Sequence, residues 1–187
     1  YTQALSYYNA GDWAKATDAF EALQGKGVAA GEAEVRSKLF DSYLNEGRQQ
    51  VAAADSRSAI IRATLSFNSA LALFPDDEPA QEERQLASLY LDGYTAYERT
   101  DWRQAASYLA RLCATRADYA QGQAARLLCA SYTKQGDAYQ ASGQLQSALD
   151  QYRLVEAVAQ CDQTEVSAKI QQIHTLLTAT PVPTVTP

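Results

Sequence analysis

Residues 136–152 read GDAYQASGQLQSALDQY, and this stretch predicts a helix, a sharp turn and a second helix. Gly136 stands within a helical run that Gly143 interrupts. Ala148 and Tyr152 follow four residues apart, which places them on one face of the next helix. We expect Gly136 and Ala148 to face each other, because two small residues let helices approach closely while aromatic rings fill the space beside them.

Three further segments repeat this pattern of a small residue, a break, an alanine and, four residues later, an aromatic residue or leucine. The small residue and the alanine are 12 residues apart in three segments and 16 apart in the second. Four extra residues add about one helical turn, so we expect a longer second pair with Gly47 in the same register. The segments are marked by Ala4, Ala16 and Phe20; Gly47, Ala63 and Phe67; Gly93, Ala105 and Leu109; and Gly136, Ala148 and Tyr152.

Short breakers divide these segments and predict helical hairpins within one domain of residues 1–178. The last helix, residues 164–178, carries an apolar stripe, and we expect it to cap the exposed face of the last hairpin. Residues 179–187, ATPVPTVTP, are uncharged and rich in Thr and Pro, which predicts an extended linker. The hairpins are placed at about residues 1–24, 32–75, 79–115 and 119–160.

The composition limits the partners. A formal net charge of −6 argues against nucleic acid and anionic membranes as main partners. No apolar run approaches the roughly 18 to 20 residues that a membrane span needs. The chain has no methionine and opens at Tyr1 within a helical pattern, so we expect it to be the middle of a longer protein, with any signal or anchor upstream.

The three cysteines leave several arrangements open. All three could be free thiols, or one disulfide could leave one thiol free. Cys113 and Cys161 lie where the second helices of neighbouring hairpins should end, and we predict this pair. Cys129 with Cys161 is the alternative, and Cys113 with Cys129 is the least favoured, because about 13 Å of helix separates Cys129 from the turn near Cys113.

Catalytic and metal chemistry find little support in the residue pattern. His174, the single histidine, lies beside the apolar stripe of the last helix, where packing or surface exposure explains it. Neither a zinc spacing nor a phosphate-binding glycine loop is present. The turn Asp76-Asp77-Glu78 is interpreted as a solvated cluster that caps a helix, since its spacing does not suit calcium. We therefore expect no enzyme and no cofactor.

Several segments resemble the turn and second helix of tetratricopeptide repeats. The family pattern places Gly-Asp-aromatic at the turn, followed by alanine and an aromatic residue. The match departs at Thr100, which replaces the glycine, and in the second segment, which lacks Gly-Asp; the alanines also recur every 42 to 47 residues rather than every 34 or so. The matching segments are GDWAKATDAF (11–20), TDWRQAASYL (100–109) and SGQLQSALDQY (142–152).

The resemblance implies an all-α, right-handed solenoid of about four irregular hairpins with a C-terminal capping helix. In this family the concave groove binds a peptide or helix of a partner, which implies a non-catalytic scaffold for protein–protein interaction. The family's carboxylate clamp is not recognisable, so chaperone tails are not expected. The alternative is a structural, self-associating subunit of an extracellular assembly or filament.

The resemblance also implies which residues face a partner. Tyrosine suits such a surface because it combines a large rigid area with a hydrogen-bonding tip. For Tyr90 and Tyr94, packing between helices is the alternative. The candidate partner-binding residues are Tyr8, Asn45, Arg48, Tyr90, Tyr94, Lys134 and Asp137. Thr/Pro-rich tails after such repeats are similar to those of bacterial surface proteins, which implies an extracytoplasmic location, with a cytoplasmic one as the alternative.

Overall fold

The computed structural model describes residues 1–25 and 31–178, and over these residues the chain is helical without any β-strand. The all-α class expected from the sequence is therefore confirmed. The predicted linker, residues 179–187, lies outside the described residues. The helices are α1 (Thr2–Asn9), α2 (Trp13–Gln24), α3 (Glu32–Ala52), α4 (Arg57–Leu73), α5 (Glu78–Glu98), α6 (Trp102–Thr115), α7 (Gln123–Ala141), α8 (Leu145–Glu156) and α9 (Thr164–Thr178).

The helices form two compact units, and the boundary between them falls inside α5. Unit 1 comprises the described residues up to Asp92 together with 119–121; in it α1 packs on α2, α2 on α3, and α3 on α4. Unit 2 comprises 93–118 and the described residues from Gly122 onward; in it α6 packs on α7, α7 on α8, and α8 on α9. None of the described helices combines the length and apolar character needed to cross a bilayer.

The turn between α1 and α2 shows what the Gly11-Asp12 pair does. The Gly11 N–H donates to the Tyr8 carbonyl and the Asp12 N–H donates to the Tyr7 carbonyl, each at 3.0 Å. This is the Schellman arrangement, in which the residue just past the helix is left-handed, and Gly11 has a φ of +70°. Asp12 then caps α2 by accepting a hydrogen bond from the Lys15 N–H. One residue ends a helix and the next begins another.

The same turn follows α5 and α7. Thr100 and Gly143 take the left-handed position with φ values of +61° and +76°. The N–H groups of Asp101 and Gln144 reach back to carbonyls five residues earlier, at 3.0 and 2.9 Å. A β-branched residue is crowded in this conformation, so Thr100 adopts it because the turn requires a left-handed residue at this position.

Buried glycines set the contact between paired helices, as predicted. A Cβ at Gly93 would lie 2.7 Å from Leu109 Cγ, and one at Gly136 would lie 2.7 Å from Tyr152 Cδ1. Gly47 lies beneath Phe67 in the same way, which confirms its register in the longer pair. The facing residue differs from expectation. Gly136 and Tyr152 lie equally far from the turn at Gln144, whereas Ala148 lies one helical turn too close to it, so the ring rather than the alanine covers the glycine.

α7 begins at Gln123, later than the helix that the sequence predicts from residue 119. Ala120, Gln121 and Gly122 have consecutive positive φ values of 52°, 54° and 76°, which no right-handed helix contains. Tyr119 and Ala120 are buried. The burial of these side chains thus outweighs the tendency to form a helix that the sequence pattern indicates for this segment.

The disulfide joins Cys129 to Cys161, with Cα atoms 5.8 Å apart, and Cys113 is a free, half-buried thiol. This corrects the predicted Cys113–Cys161 pair. Because Gly136 lies opposite Tyr152, Cys129, two turns before Gly136, lies level with the loop that follows α8, and Cys161 belongs to that loop. Cys113, at the end of α6, instead lines an apolar hollow of about 430 Å³.

Candidate functional site

A row of polar side chains runs along one face of α3 in unit 1. Its members are spaced three, four and three residues apart, which keeps them on one face of a helix. Tyr8 of α1 lies beside this row: its hydroxyl donates to Asp41 Oδ2 at 2.9 Å, and the Lys38 ammonium lies 4.2 Å from its ring centre. The α3 row consists of Lys38, Asp41, Asn45 and Arg48.

Tyr8, a predicted contact residue, is held firmly within unit 1. Its ring meets Trp13 and Phe20 edge to face, with centroids 5.4 and 6.3 Å apart. Burial, together with the hydrogen bond and charge of Asp41, raises the pKa of the Tyr8 hydroxyl against the opposing effect of Lys38. The hydroxyl therefore stays protonated and donates to Asp41, and the half-buried ring offers part of its surface.

Asn45 and Arg48 also have partners inside unit 1. Asn45 Nδ2 donates to the Asp41 carbonyl at 2.8 Å, and Arg48 Nε donates to Glu83 Oε1 on α5 at 3.0 Å. The Arg48 side chain is 44% exposed and that of Glu83 is 6% exposed. The guanidinium thus compensates a buried carboxylate and still presents an accessible edge, which leaves Arg48 available to a partner.

Tyr90 is buried, which corrects its predicted role in partner contact. It is 1% exposed, and its ring lies 5.9 Å from that of Tyr119, centroid to centroid. Tyr90 lies three residues before Gly93, on the α5 face that carries the buried glycine, so packing between helices accounts for it. Tyr94 is half-buried in unit 2.

In unit 2 the predicted residues Lys134 and Asp137 behave differently. Lys134 is exposed. Asp137 Oδ1 accepts from the Tyr152 hydroxyl at 2.7 Å and from the Lys169 ammonium of α9 at 2.6 Å. Partial burial disfavours the carboxylate, but the bonds from Lys169 and Tyr152 outweigh it and hold the pKa of Asp137 below its ordinary value. Asp137 therefore attaches α9 to the α7–α8 pair.

Arg48 and Asp137 occupy equivalent positions in their helix pairs, and this position explains why each bonds to a later helix. Each directly follows the buried glycine of its helix pair, and each bonds to a helix further along the chain, at sequence separations of 35 and 32 residues. Tyr94 is the equivalent residue after Gly93. In the α3–α4 and α7–α8 pairs, the residue after the glycine therefore bonds to the following helix, which the sequence pattern alone did not assign.

A hollow of about 430 Å³ lies at the end of the α3–α4 pair in unit 1. Phe74 is 38% exposed there and meets the buried Phe40 edge to face, with centroids 5.1 Å apart. The Arg36 guanidinium lies 5.1 Å from the Phe74 ring centre and donates to the Leu73 carbonyl at 2.6 Å. The Phe74 hollow is lined by Ser37, Phe40, Asp41, Phe74, Pro75, Asp76 and Asp77.

The sequence pattern did not point to Lys38, Asp41 or Phe74, among other residues of these surfaces. Lys38 and Asp41 could have been found from their helical spacing to Asn45. Phe74 could not, because its exposure depends on where the chain turns after it. The acidic turn does cap a helix as predicted, since Asp77 Oδ1 accepts from the Ala80 N–H at 2.9 Å.

Within the described ranges, no three His, Cys, Asp or Glu side chains lie close enough together to hold a metal ion. His174 is exposed on α9. Comparisons with protein-family models, with curated proteins and with solved structures found no match for this chain.

Proposed function

We propose that residues 1–178 form a right-handed, tetratricopeptide-like solenoid of about four hairpins closed by α9. The protein is then a non-catalytic scaffold that binds a peptide or helix of a partner protein. The observation that carries this proposal is the repeated glycine beneath a large side chain, at Gly47, Gly93 and Gly136. Recurrent nesting of helix pairs is typical of repeat arrays, whose extended surfaces bind partners.

Contacts between first helices of successive pairs support a groove in unit 1. α1 meets α3 through Tyr8 and Asp41, and α3 meets α5 through Arg48 and Glu83. The α3 row includes the α3 residue of each contact, and it supplies charges of both signs together with an amide. A surface built on packed helices loses little conformational entropy on binding, which favours affinity. Tyr94 and Lys134 are the further contact candidates, in unit 2.

A display selection of random peptides against the whole chain tests the groove. We expect selected peptides to bind with an affinity that falls about tenfold, or 1.4 kcal/mol, in the double variant Asn45→Ala and Arg48→Gln. Glutamine at position 48 retains a hydrogen-bond donor for Glu83 but not the charge, so we expect some loss of stability, and circular dichroism would verify that the variant is folded at the temperature of the binding assay. The matched control is Arg62→Gln on the exposed face of α4, which should bind as the parent does. Equal affinity in all three proteins would refute the groove.

A second candidate is a structural subunit of a larger extracellular assembly. Ile61 and Leu65 lie four residues apart on one face of α4 and are 43% and 61% exposed. Paired exposed aliphatic side chains favour an interface with another protein surface. The disulfide supports an extracytoplasmic location for either candidate, because disulfides persist in oxidising compartments. One reactive thiol in denatured protein taken from its source is the expected count; three would indicate a reducing compartment.

A further inference from the structure

We infer that the Phe74 hollow binds a cationic side chain of a partner protein, an arginine or lysine carried on a basic peptide segment. This site shares Asp41 with the α3 row, but it does not involve Asn45 and Arg48, which lie further along α3.

The aromatic wall of the hollow is fixed before any ligand arrives. Phe40 is 8% exposed and holds the Phe74 ring edge to face, so the exposed ring has a defined orientation. The turn behind it is fastened by Gln81 Nε2, which donates to the Pro75 carbonyl at 2.7 Å. An aromatic surface that is already ordered costs little entropy when it binds.

The same ring already accepts a cation from its own chain. The Arg36 guanidinium lies 5.1 Å from the Phe74 ring centre, within the range of a cation–π interaction. Arg36 is not among the residues that line the Phe74 hollow; it borders a second hollow, which Phe74 also lines. The hollow therefore presents a ring that already contacts a guanidinium of its own chain, and the residues that line the hollow include no cation.

Three carboxylates complete the complementarity to a positive charge. Asp76 is exposed, while Asp41 and Asp77 use one oxygen each, for the Tyr8 hydroxyl and the Ala80 N–H. Within the described chain these carboxylates do not converge closely enough for a metal ion. Spread carboxylates beside an apolar wall suit a planar or tetrahedral organic cation on an aliphatic stem, whose methylenes cover the ring. The net charge of −6 adds long-range attraction.

The test is a nuclear magnetic resonance titration of the ¹⁵N-labelled full chain with acetyl-Ala-Arg-Ala-amide. We expect saturable shifts confined to residues 37–41 and 74–77, with a dissociation constant in the millimolar range. The matched probe, with citrulline in place of arginine, has the same shape without the charge and should produce no saturable shift at these residues.

Two variants locate the charge. Asp76→Asn should weaken binding of the arginine peptide about threefold, as expected for one exposed charge pair. Asp55→Asn removes an exposed carboxylate in the loop after α3, at the other end of the α3–α4 pair, and should leave binding unchanged. The groove variant, Asn45→Ala with Arg48→Gln, should also leave it unchanged, so failure of one proposal is separable from failure of the other.

Three outcomes would overturn the inference. They are equal binding of the citrulline peptide, shifts spread over distant carboxylates such as Asp18 and Glu21, and self-association of the free chain that Asp76→Asn abolishes. The last outcome would identify a second copy of the chain as the occupant of the hollow.

Discussion

Tyr152 is held from two sides by a single turn of α7. Its ring occupies the space where a Cβ of Gly136 would stand, and its hydroxyl donates to Asp137 and Gln140 at 2.7 and 3.0 Å. The absent side chain sets the distance between the helices, and the polar bonds set the position of the ring along them. A glycine inside a helix costs about 1 kcal/mol relative to alanine, so its place here is explained by packing.

Gly136→Ala should destabilise the protein, because the new methyl group overlaps the Tyr152 ring. We expect a net loss of about 1–3 kcal/mol in the free energy of unfolding, measured by denaturant titration. The matched control is Gly25→Ala, where φ is −63° and the nearest atom, the Glu21 carbonyl oxygen, would lie at 3.6 Å. That substitution should change the free energy of unfolding by no more than about 0.5 kcal/mol.

A double-mutant cycle separates this overlap from other causes. In a Tyr152→Ala background the additional cost of Gly136→Ala should fall well below its cost in the parent, since the obstructing ring is gone. An unchanged cost would place the effect elsewhere in α7.

Thr100→Gly should stabilise the protein. Thr100 has a φ of +61° at the turn position that Gly11 and Gly143 occupy elsewhere. Relief of the left-handed conformation should add about 1 kcal/mol to the free energy of unfolding. Thr115→Gly, in the last turn of α6, is the control and should destabilise instead, because glycine there only adds backbone freedom. A loss of stability on Thr100→Gly would mean that the threonine side chain has a packing role.

At the scale of the helix, α9 is attached to unit 2 by three kinds of interaction. Val166 and Ile173 join the apolar cluster around Tyr152. Lys169 bonds to Asp137 of α7, and the disulfide fastens the loop before α9. The attachment of α9 to the rest of unit 2 thus has a covalent component.

Removal of the disulfide should weaken unit 2. The bond joins cysteines 32 residues apart, and closing a loop of that length in the unfolded chain is worth roughly 3–4 kcal/mol. We expect a loss of that order in the double variant Cys129→Ala and Cys161→Ala, with faster hydrogen exchange over α9. Cys113→Ala is the control, and it should lack the exchange effect in α9. Equal exchange of α9 with and without reductant would contradict this role.

Short sequence features were sufficient to predict the helices, but they did not predict which residues of different helices contact each other. Gly11-Asp12 marks a helix end and a cap because the left-handed turn and the capping carboxylate are local demands. The disulfide partner of Cys161 depends on the register of α7 against α8, and the burial of Tyr90 depends on the side chains that face it. Both are set by contacts between residues that are distant in sequence. The late start of α7 likewise depends on the burial of Tyr119, which is a tertiary effect that rules based on local sequence do not include.

At the scale of the whole chain, no break in the helix marks the boundary between the units. It falls between Asp92 and Gly93 inside a continuous α5, and this Asp-Gly pair, although typical of turns, stands within the helix. Helix-breaking residues in the sequence separate helices rather than compact units. The reason is that local residues determine where a helix ends, whereas contacts between distant residues determine a compact unit.

The scaffold proposal predicts a monomer in solution. Light scattering should give a mass near the 20.4 kDa of the chain at high protein concentration. A larger mass that Ile61→Glu with Leu65→Glu abolishes would favour the structural candidate, because these are large exposed aliphatic residues of α4. Asn68→Glu, also exposed on α4, controls for added charge and should leave any association intact.

The glycine beneath a large side chain also has an evolutionary consequence. The two residues share one volume, so inherited change at either of them constrains the other. Among descendants of this chain, a larger residue at position 93 or 136 should accompany a smaller one sixteen positions later, and at position 47 the linked site lies twenty positions later. Covariation of these pairs would show that the packing of the helices is retained even where no individual residue persists.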